Sequence, residues 1–417
     1  MVSLSPAMDY FPYPKEWETE ESHSMAQTVA RWANQELITK RLEFREVYAH
    51  QMKALDILSR ELGLDEMVWS VESGGSGLLA PTVATTLVRG YEEMGRADPG
   101  IAYVSAMKMA LACFLTEGII GPHVTEEIKR AVFSAFYAGD MKLVSIILPG
   151  LGDAGQAARA MISGKEAQAT AERRGDTWVV RARQARPMNS GFDAHMYAVI
   201  AAAQNEIVLV LVPADAQGVK KASAPLKTTG LLASRNCSVD FDTVEVPLQY
   251  GIPINLATYK RFITWIDLLC GAVAVGSAMD AYVILKNWAD NRVIKGGMPF
   301  RDNPMCAAVL ANLAMSIMNS RLLVHSLARA MAQPEVFGIR NVEDCFVLAQ
   351  SASLKAIAEC WHGMDRGMEL MASAGYSKEW NLEKHWRDIK TMQAYLGGGI
   401  PAQMDIARAF FGSGGNA

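Results

Sequence analysis

The sequence predicts an α+β fold in three parts: a helical N-terminal domain over residues 20–140, a central β domain over 141–255 and a C-terminal helical bundle over 256–412. Three observations carry this reading. Apolar residues recur at helical steps up to about Asp140. After Asp140 the chain turns to short runs rich in Val and Ile, separated by Gly, Asp, Asn and Pro. From about Leu256 long helical patterns resume.

Taken in order, Trp32 to Leu62 carries apolar residues at mixed three- and four-residue steps among charges, and Gly74, Gly75 and Gly77 mark a loop. A helical pattern runs through VATTLVRGYEEMGRAD and stops at Asp98-Pro99-Gly100. The following IAYVSAMKMALACFL is apolar nearly all round, as a buried helix is. KLVSIILPG, DTWVVRAR, HMYAVIAAA, EIVLVLVPA and SVDFDTVEVP read as strands, with Pro247 and Pro253 at the exit. TWIDLLCGAVAVGSAMDAYVILKNWADNR is long enough for roughly eight helical turns, and two further long helices follow it. Small residues along these helices suit close packing, and neither an internal repeat nor a low-complexity tract interrupts them.

The 417 residues carry 40 Lys plus Arg against 44 Asp plus Glu, a net charge of −4, and half of them are hydrophobic. Such a chain buries a large core and is not disordered. Without a basic excess there is no electrostatic case for nucleic acid. No apolar run is read as reaching the ~18–20 residues of a membrane span. The polar, acidic start MVSLSPAMDYFPYPKEWETEE lacks the apolar stretch of a signal peptide, so a cytoplasmic protein is expected. The six cysteines form no CxxC pair and read as buried, reduced thiols. The seven histidines are scattered, and no metal site is expected.

Several segments together resemble one family. These are EMGRADPGIAY before the buried helix, Leu148-Pro149-Gly150-Leu151-Gly152-Asp153 at the opening of the β domain, GDTWVVRARQARPMNSG and the closing FDTVEVP. The most specific is AGYSKEWNLEKHWRDIKTMQAYLGGGIPAQMDIAR, with Tyr376, Arg387, Asp388, Tyr395, Gly397 and Ile406-Ala407-Arg408 in ungapped spacing. In this order over residues 60–410 they resemble the acyl-CoA dehydrogenase family. The resemblance implies a β-barrel-like form for the central domain and a four-helix bundle for the C-terminal one, FAD as cofactor, an acyl-CoA thioester as substrate, oxidation at its Cα–Cβ bond, an electron-transferring flavoprotein as acceptor and a tetramer of this chain, alone or with a paralogous subunit.

The same resemblance marks where this chain departs from the pattern. The usual Glu base of Tyr-Glu-Gly-Thr is Leu396, which takes no proton, although its backbone N–H is expected to donate to the thioester carbonyl. Other members place the base on the first long C-terminal helix; aligning Gly276, Trp288-Ala289 and Arg292 puts Ile266 there, with Asp267 beside it as the candidate base. Ser105, Lys108 and Tyr395 are the candidate substrate contacts. Lys108 either binds a substrate carboxylate or snorkels to the surface. The implied flavin positions are Ile147, Leu148, Met188, Asn189, Ser190, Arg292, Asn303, Glu369, Ser373, Tyr395, Gly397 and Gly398. Asn189 or Ser190 is expected to donate to the flavin edge, and Arg292 to reach the pyrophosphate of a neighbouring subunit. Glu369, in the place of a Gln, sets negative charge near phosphates.

Two further motifs stand apart from these positions. Gly397-Gly398-Gly399 reads as a turn between helices or as backbone able to approach phosphate. His385 and Asp388 share a helical face and read as a surface network. The sequence leaves three readings of function: an FAD-dependent acyl-CoA dehydrogenase with a relocated base, a non-catalytic, flavin-poor subunit of a hetero-oligomer, and a non-redox acyl-CoA-binding protein.

Overall fold

The computed structural model describes residues 11–12, 14–78, 82–117, 124–150, 167–204, 206–294 and 296–411. Helices come first: α1 (Glu20–Trp32), α2 (Arg41–Phe44), α3 (Tyr48–Asp56), α4 (Ala84–Ala97), α5 (Pro99–Thr116) and α6 (Glu126–Phe136). The stretch from Trp32 to Leu62 is less regular than its periodicity predicts. It is broken into α2, α3 and two wider π-helical turns, Ala33–Ile38 and Ile57–Glu61.

Helix α5 carries the site. Its start is fixed by Asp98, whose side chain accepts from the N–H groups of Gly100 (2.9 Å) and Ile101 (3.1 Å), with Pro99 in the first turn. Every residue from Pro99 to Thr116 is buried, as the all-round apolar pattern predicts. Beyond its end, Glu117 accepts from Arg261 Nε (2.9 and 3.0 Å) and Trp265 Nε1 (2.8 Å).

Eight strands follow: β1 (Val144–Ile147), β2 (Ala169–Arg174), β3 (Thr177–Ala185), β4 (Met196–Ala203), β5 (Glu206–Pro213), β6 (Val219–Lys221), β7 (Val239–Pro247) and β8 (Gly251–Ile254). They form one sheet in the order β6-β7-β3-β2-β4-β5-β8, with β1 parallel to β4. The path stays open between β6 and β8 among the described residues, so the central domain is a sheet that these pairings do not close into a barrel. Strand alternation gives β4 two buried faces. Tyr197, Val199 and Ala201 pack with β3 and β7 inside the β domain. Met196, Ala198 and Ile200 join the helical core.

The C-terminal helices are α7 (Leu256–Asn291), α8 (Pro304–Ala332), α9 (Val342–Met371), α10 (Leu382–Tyr395) and α11 (Ile400–Phe411). Helix α7 starts at a capping box between Asn255 and Thr258 and runs 36 residues through the centre. It crosses α4 at glycines: a Cβ on Gly95 would overlap the backbone of Val273, and one on Gly276 the backbone of Glu92. Beside that crossing the fully buried Glu92 accepts from Arg321 (2.9 Å to each oxygen), Arg89 (2.6 Å) and His325 (3.0 Å). Burial alone would raise its pKa, but these cations hold the carboxylate well below the usual range.

The expectation that no segment reaches membrane-spanning length is corrected. Pro99–Thr116, Leu256–Asn291 and Pro304–Ala332 are long and apolar enough by length and composition. A few charged residues, such as Lys108, Asp267 and Arg321, interrupt the runs, which hides their length without making them polar overall. The most apolar windows of the first two are 100% and 89% buried inside the protein, so core packing accounts for them; that of α8 is only 28% buried.

Candidate functional site

Three elements meet at one seam: α5, the turn at residues 187–191 between β3 and β4, and the C-terminal end of α10. The ring of Tyr103 on α5 lies 6.2 Å, centroid to centroid, from that of Tyr395 on α10. The Tyr103 hydroxyl donates to the backbone carbonyl of Met188 (3.0 Å). Behind the seam an ion network locks the same elements together. Lys384 of α10 bridges Asp98, the cap of α5 (2.9 Å), and Asp388 (2.6 Å). Asp388 in turn accepts from the N–H of Leu231 (2.6 Å), in the loop leading to β7.

The turn is held by two asparagines. Asn189 donates to the carbonyl of Val144 (2.7 Å) and accepts from the N–H of Ile146 (3.0 Å), so its side chain acts as a rung beside β1. Asn236 accepts from the N–H of Gly191 (3.1 Å) and donates to the carbonyl of Pro187 (2.5 Å). Ser190 sits in the left-handed region (φ 49°), and its N–H donates to Ser234 Oγ (3.1 Å). The Ser190 hydroxyl is buried with no partner among the described residues. The Tyr395 hydroxyl is also buried and faces Asn236 without completing a hydrogen bond.

Several expected contacts are placed differently. The N–H of Leu396 is not free for a thioester carbonyl: it donates to Met392 O (3.0 Å) and closes the last turn of α10. The N–H groups of Gly397 and Gly398 likewise return to Ala394 (3.1 Å) and Gln393 (2.9 Å), at φ 86° and 74°. The glycine run is therefore a helix end of the left-handed type. Lys108 neither snorkels nor waits for a substrate: buried, it pairs with Asp65 and lies 4.8 Å from the centroid of the Tyr137 ring. Ser105 hydrogen-bonds the Tyr91 hydroxyl (2.9 Å). His385 and Asp388 are wholly buried, not a surface network, and do not pair with each other. His385 joins Ser277 (2.9 Å) to Asp280 (2.9 Å), and Asp280 takes Arg41 (2.6 Å).

Of the remaining flavin positions, Ile147 is buried at the end of β1, and the Leu148 carbonyl accepts from Gln168 (2.9 Å). Leu151-Gly152-Asp153 lies outside the described residues. Arg292 is exposed at the end of α7, 5.0 Å over the Trp288 ring. Asn303 caps α8 through Met305 N–H (2.9 Å). Glu369 is exposed and pairs with Arg366 on its own helix, and Ser373 is exposed. Within one chain, Arg292, Asn303, Glu369 and Ser373 are thus not shown converging with the seam.

Asp267 is buried in the middle of α7, where Gln350 and Ser353 of α9 hydrogen-bond its carboxyl group. Burial pushes its pKa from 3.8 up to about 7 despite those bonds, and Asp405 of α11 adds to the rise. Cys270 lies one turn further along α7; the Asp267 charge helps to raise its thiol, and the thiol in turn helps to raise the Tyr103 phenol. Tyr103, Ser234 and Asn236 belong to the seam although the sequence did not single them out. Tyr103 had a signal, being the one phenol in an otherwise apolar helix; the two loop residues had none.

As for a flavin, the donor chemistry fits: Ser190 and Tyr395 bring buried hydroxyls to the seam, and a planar ring with polar edges would satisfy them.

Known proteins share this fold. Residues 19–145 match the family model for the acyl-CoA dehydrogenase N-terminal domain, and residues 268–398 match that for the acyl-CoA dehydrogenase C-terminal domain. The chain is 25% identical over 419 residues to probable acyl-CoA dehydrogenase FadE25 of Mycobacterium tuberculosis, covering 97% of this chain and 98% of that protein. It is 24% identical over 402 residues to cyclohex-1-ene-1-carbonyl-CoA dehydrogenase of Geobacter metallireducens, covering 94% and 98%. Among solved structures, glutaryl-CoA dehydrogenase from Mycobacterium smegmatis superposes with a TM-score of 0.79 at 18% identity, covering 99% and 100%. A glutaryl-CoA dehydrogenase from the same organism in complex with FADH2 also gives 0.79, at 18% identity, covering 96% and 97%. With both domain models matched in order and the fold shared end to end, the chain belongs to the acyl-CoA dehydrogenase family.

Proposed function

We propose that the protein is an FAD-dependent oxidoreductase acting on the Cα–Cβ bond of an acyl-CoA thioester, with Asp267 as a relocated base. The observation that supports this reading is the seam itself: the helix assigned to the acyl group, the turn assigned to the flavin ring and the end of α10 meet at Tyr103, Met188 and Tyr395. Ser190 and Tyr395 are the residues that would hold the ring edge. When bound, FAD supplies the acceptor for the β hydrogen and its electron pair. Asp267 takes the α proton on a carboxylate oxygen; a carboxyl near 7 is basic enough to accept a proton at neutral pH and releases it again. Electrons leave to an electron-transferring flavoprotein. The assembly is a tetramer through the exposed face of α8.

Two measurements test the reading. The purified protein is expected to be yellow and to bleach with an acyl-CoA, and it should exchange the α proton of that thioester with deuterated solvent. Asp267→Asn should abolish the exchange; exchange at the wild-type rate removes Asp267 from the mechanism.

A second reading is favoured by the spent N–H of Leu396 and by the direct contact of Tyr103 with Met188. In it the chain is the flavin-poor partner in a hetero-oligomer and needs a paralogous subunit for activity. A colourless protein that becomes active only on mixing with such a subunit supports it. Tight stoichiometric FAD in the homo-oligomer overturns it.

A further inference from the structure

Asp267 differs from the other buried acids in what surrounds it. Every other buried carboxyl group among the described residues pairs with Lys or Arg, as Glu92 does with Arg321 and Asp280 with Arg41. Asp267 instead meets two neutral groups of α9. Gln350 Nε2 donates to its Oδ2, and the Ser353 hydroxyl is the second donor. Gln350 and Ser353 stand three residues apart, on one face of α9. The packing brings that face within reach. At Gly271, one turn beyond Asp267, a Cβ would stand 2.9 Å from the Val324 side chain of α8 and 3.9 Å from the Ser353 Cα. Asp267, Gln350 and Ser353 are 6%, 7% and 3% exposed, so water does not take the place of these donors.

A buried carboxyl group beside a cation stays ionised, and one without donors stays protonated. Two neutral donors give the intermediate case, in which the charge is stabilised but not locked. Burial raises the Asp267 pKa to about 7, and the hydrogen bonds from Ser353 and Gln350 pull it back. From α11 a second buried carboxyl group, Asp405, paired with Arg408 at 3.4 Å, acts in the raising direction. On α7 itself Cys270 faces Asp267, and Tyr103 of α5 answers to Cys270.

We propose that Gln350 and Ser353 are positioning residues for Asp267: from one face of α9 they hold its carboxyl group in place and keep it able both to lose and to take up a proton. The inference rests on the reading of Asp267 as the base and adds the groups that set its proton affinity.

Infrared difference spectra between each full-length protein and its Asp267→Asn counterpart, taken across pH, isolate the Asp267 carboxyl band and read its titration without substrate or flavin. Gln350→Leu keeps the bulk of the side chain and removes the donor. The midpoint should rise by about one unit, the lower end of the worth of a hydrogen bond to a charged group. Ser353→Ala should raise it as well, whereas Asp405→Asn should lower it. A merely structural role would not give opposite signs on α9 and α11. If Gln350→Leu fails to fold, Ser353→Ala and Asp405→Asn still decide. A midpoint that no α9 variant moves upward overturns the inference. With FAD bound, exchange of the α proton of butyryl-CoA should switch on at a pH that moves upward with the carboxyl titration. Shifted titrations with exchange unaffected by Asp267→Asn uphold the role of Gln350 and Ser353 toward Asp267 and overturn the base reading alone.

Discussion

At the scale of single residues, Asp267 decides most. Its carboxyl group is raised from 3.8 to about 7 by burial, so the folded chain binds a proton that the unfolded chain has released over that interval. Stability from this group is therefore fully present below its ordinary value of 3.8 and is lost as pH rises through about 7. The ceiling is roughly 4 kcal/mol, at ~1.36 kcal/mol for each tenfold change in proton affinity. Asp267→Asn has no such proton to lose. Between roughly pH 4 and 7 the variant should gain stability relative to wild type, read as a growing difference in denaturant midpoint that levels off above about 7; parallel curves would show that Asp267 does not titrate in this range. The sequence could point at Asp267 through its neighbours Gly276, Trp288 and Arg292, yet nothing in the chain order says that Gln350 and Ser353 stand against it. Lys108 shows the same limit: a lone cation in an apolar helix was legible, while its partner Asp65 lies 43 positions earlier.

Among elements, the crossing of α4 on α7 sets how closely the N-terminal domain lies on the C-terminal bundle. Small residues in α7 were legible as sites of close packing; which glycine touches backbone and which only a side chain was not. A Cβ at Gly276 would overlap the backbone of Glu92, whereas one at Gly363 on α9 would first meet the tip of Leu313, which can rotate away. Gly276→Ala should therefore cost about 3 kcal/mol by forcing the helices apart beside the Glu92 cation cluster. Gly363→Ala should cost less than half as much, because the better helix propensity of alanine offsets part of the loss. Chemical denaturation of the two variants side by side checks this, and equal losses would mean that the crossing yields more easily than its backbone contacts imply. Periodicity revealed the helices and strands because burial repeats with them. The breaks between Trp32 and Leu62 left no period to read, and the burial of His385 and Asp388 goes with contacts distant in sequence.

For the whole molecule, assembly turns on what covers α8. Ala308, Ala311, Met315, Met318 and Leu322 are all exposed and repeat at steps of three and four, the spacing of a helix seam that packs on another helix. Met315, Met318 and Leu322 are 49%, 40% and 41% exposed. Full burial of such a side chain is worth about 1.5–3 kcal/mol, and covering the roughly half still exposed about half of that each, a gain that a symmetric interface doubles. The paired change Met315→Glu and Leu322→Glu should thus reduce the protein to a smaller species in light scattering, with its helical circular dichroism kept. Arg292 extends the argument from assembly to cofactor. It is exposed at the end of α7, stacked on the Trp288 ring, and the family resemblance directs it at a neighbour's pyrophosphate. If that role holds, dissociation should also weaken FAD retention, and Arg292→Ala should weaken it without dissociation. Unchanged FAD retention in the dissociated variant would confine the whole cofactor site to one chain and leave Arg292 as a surface cation stacked on an indole.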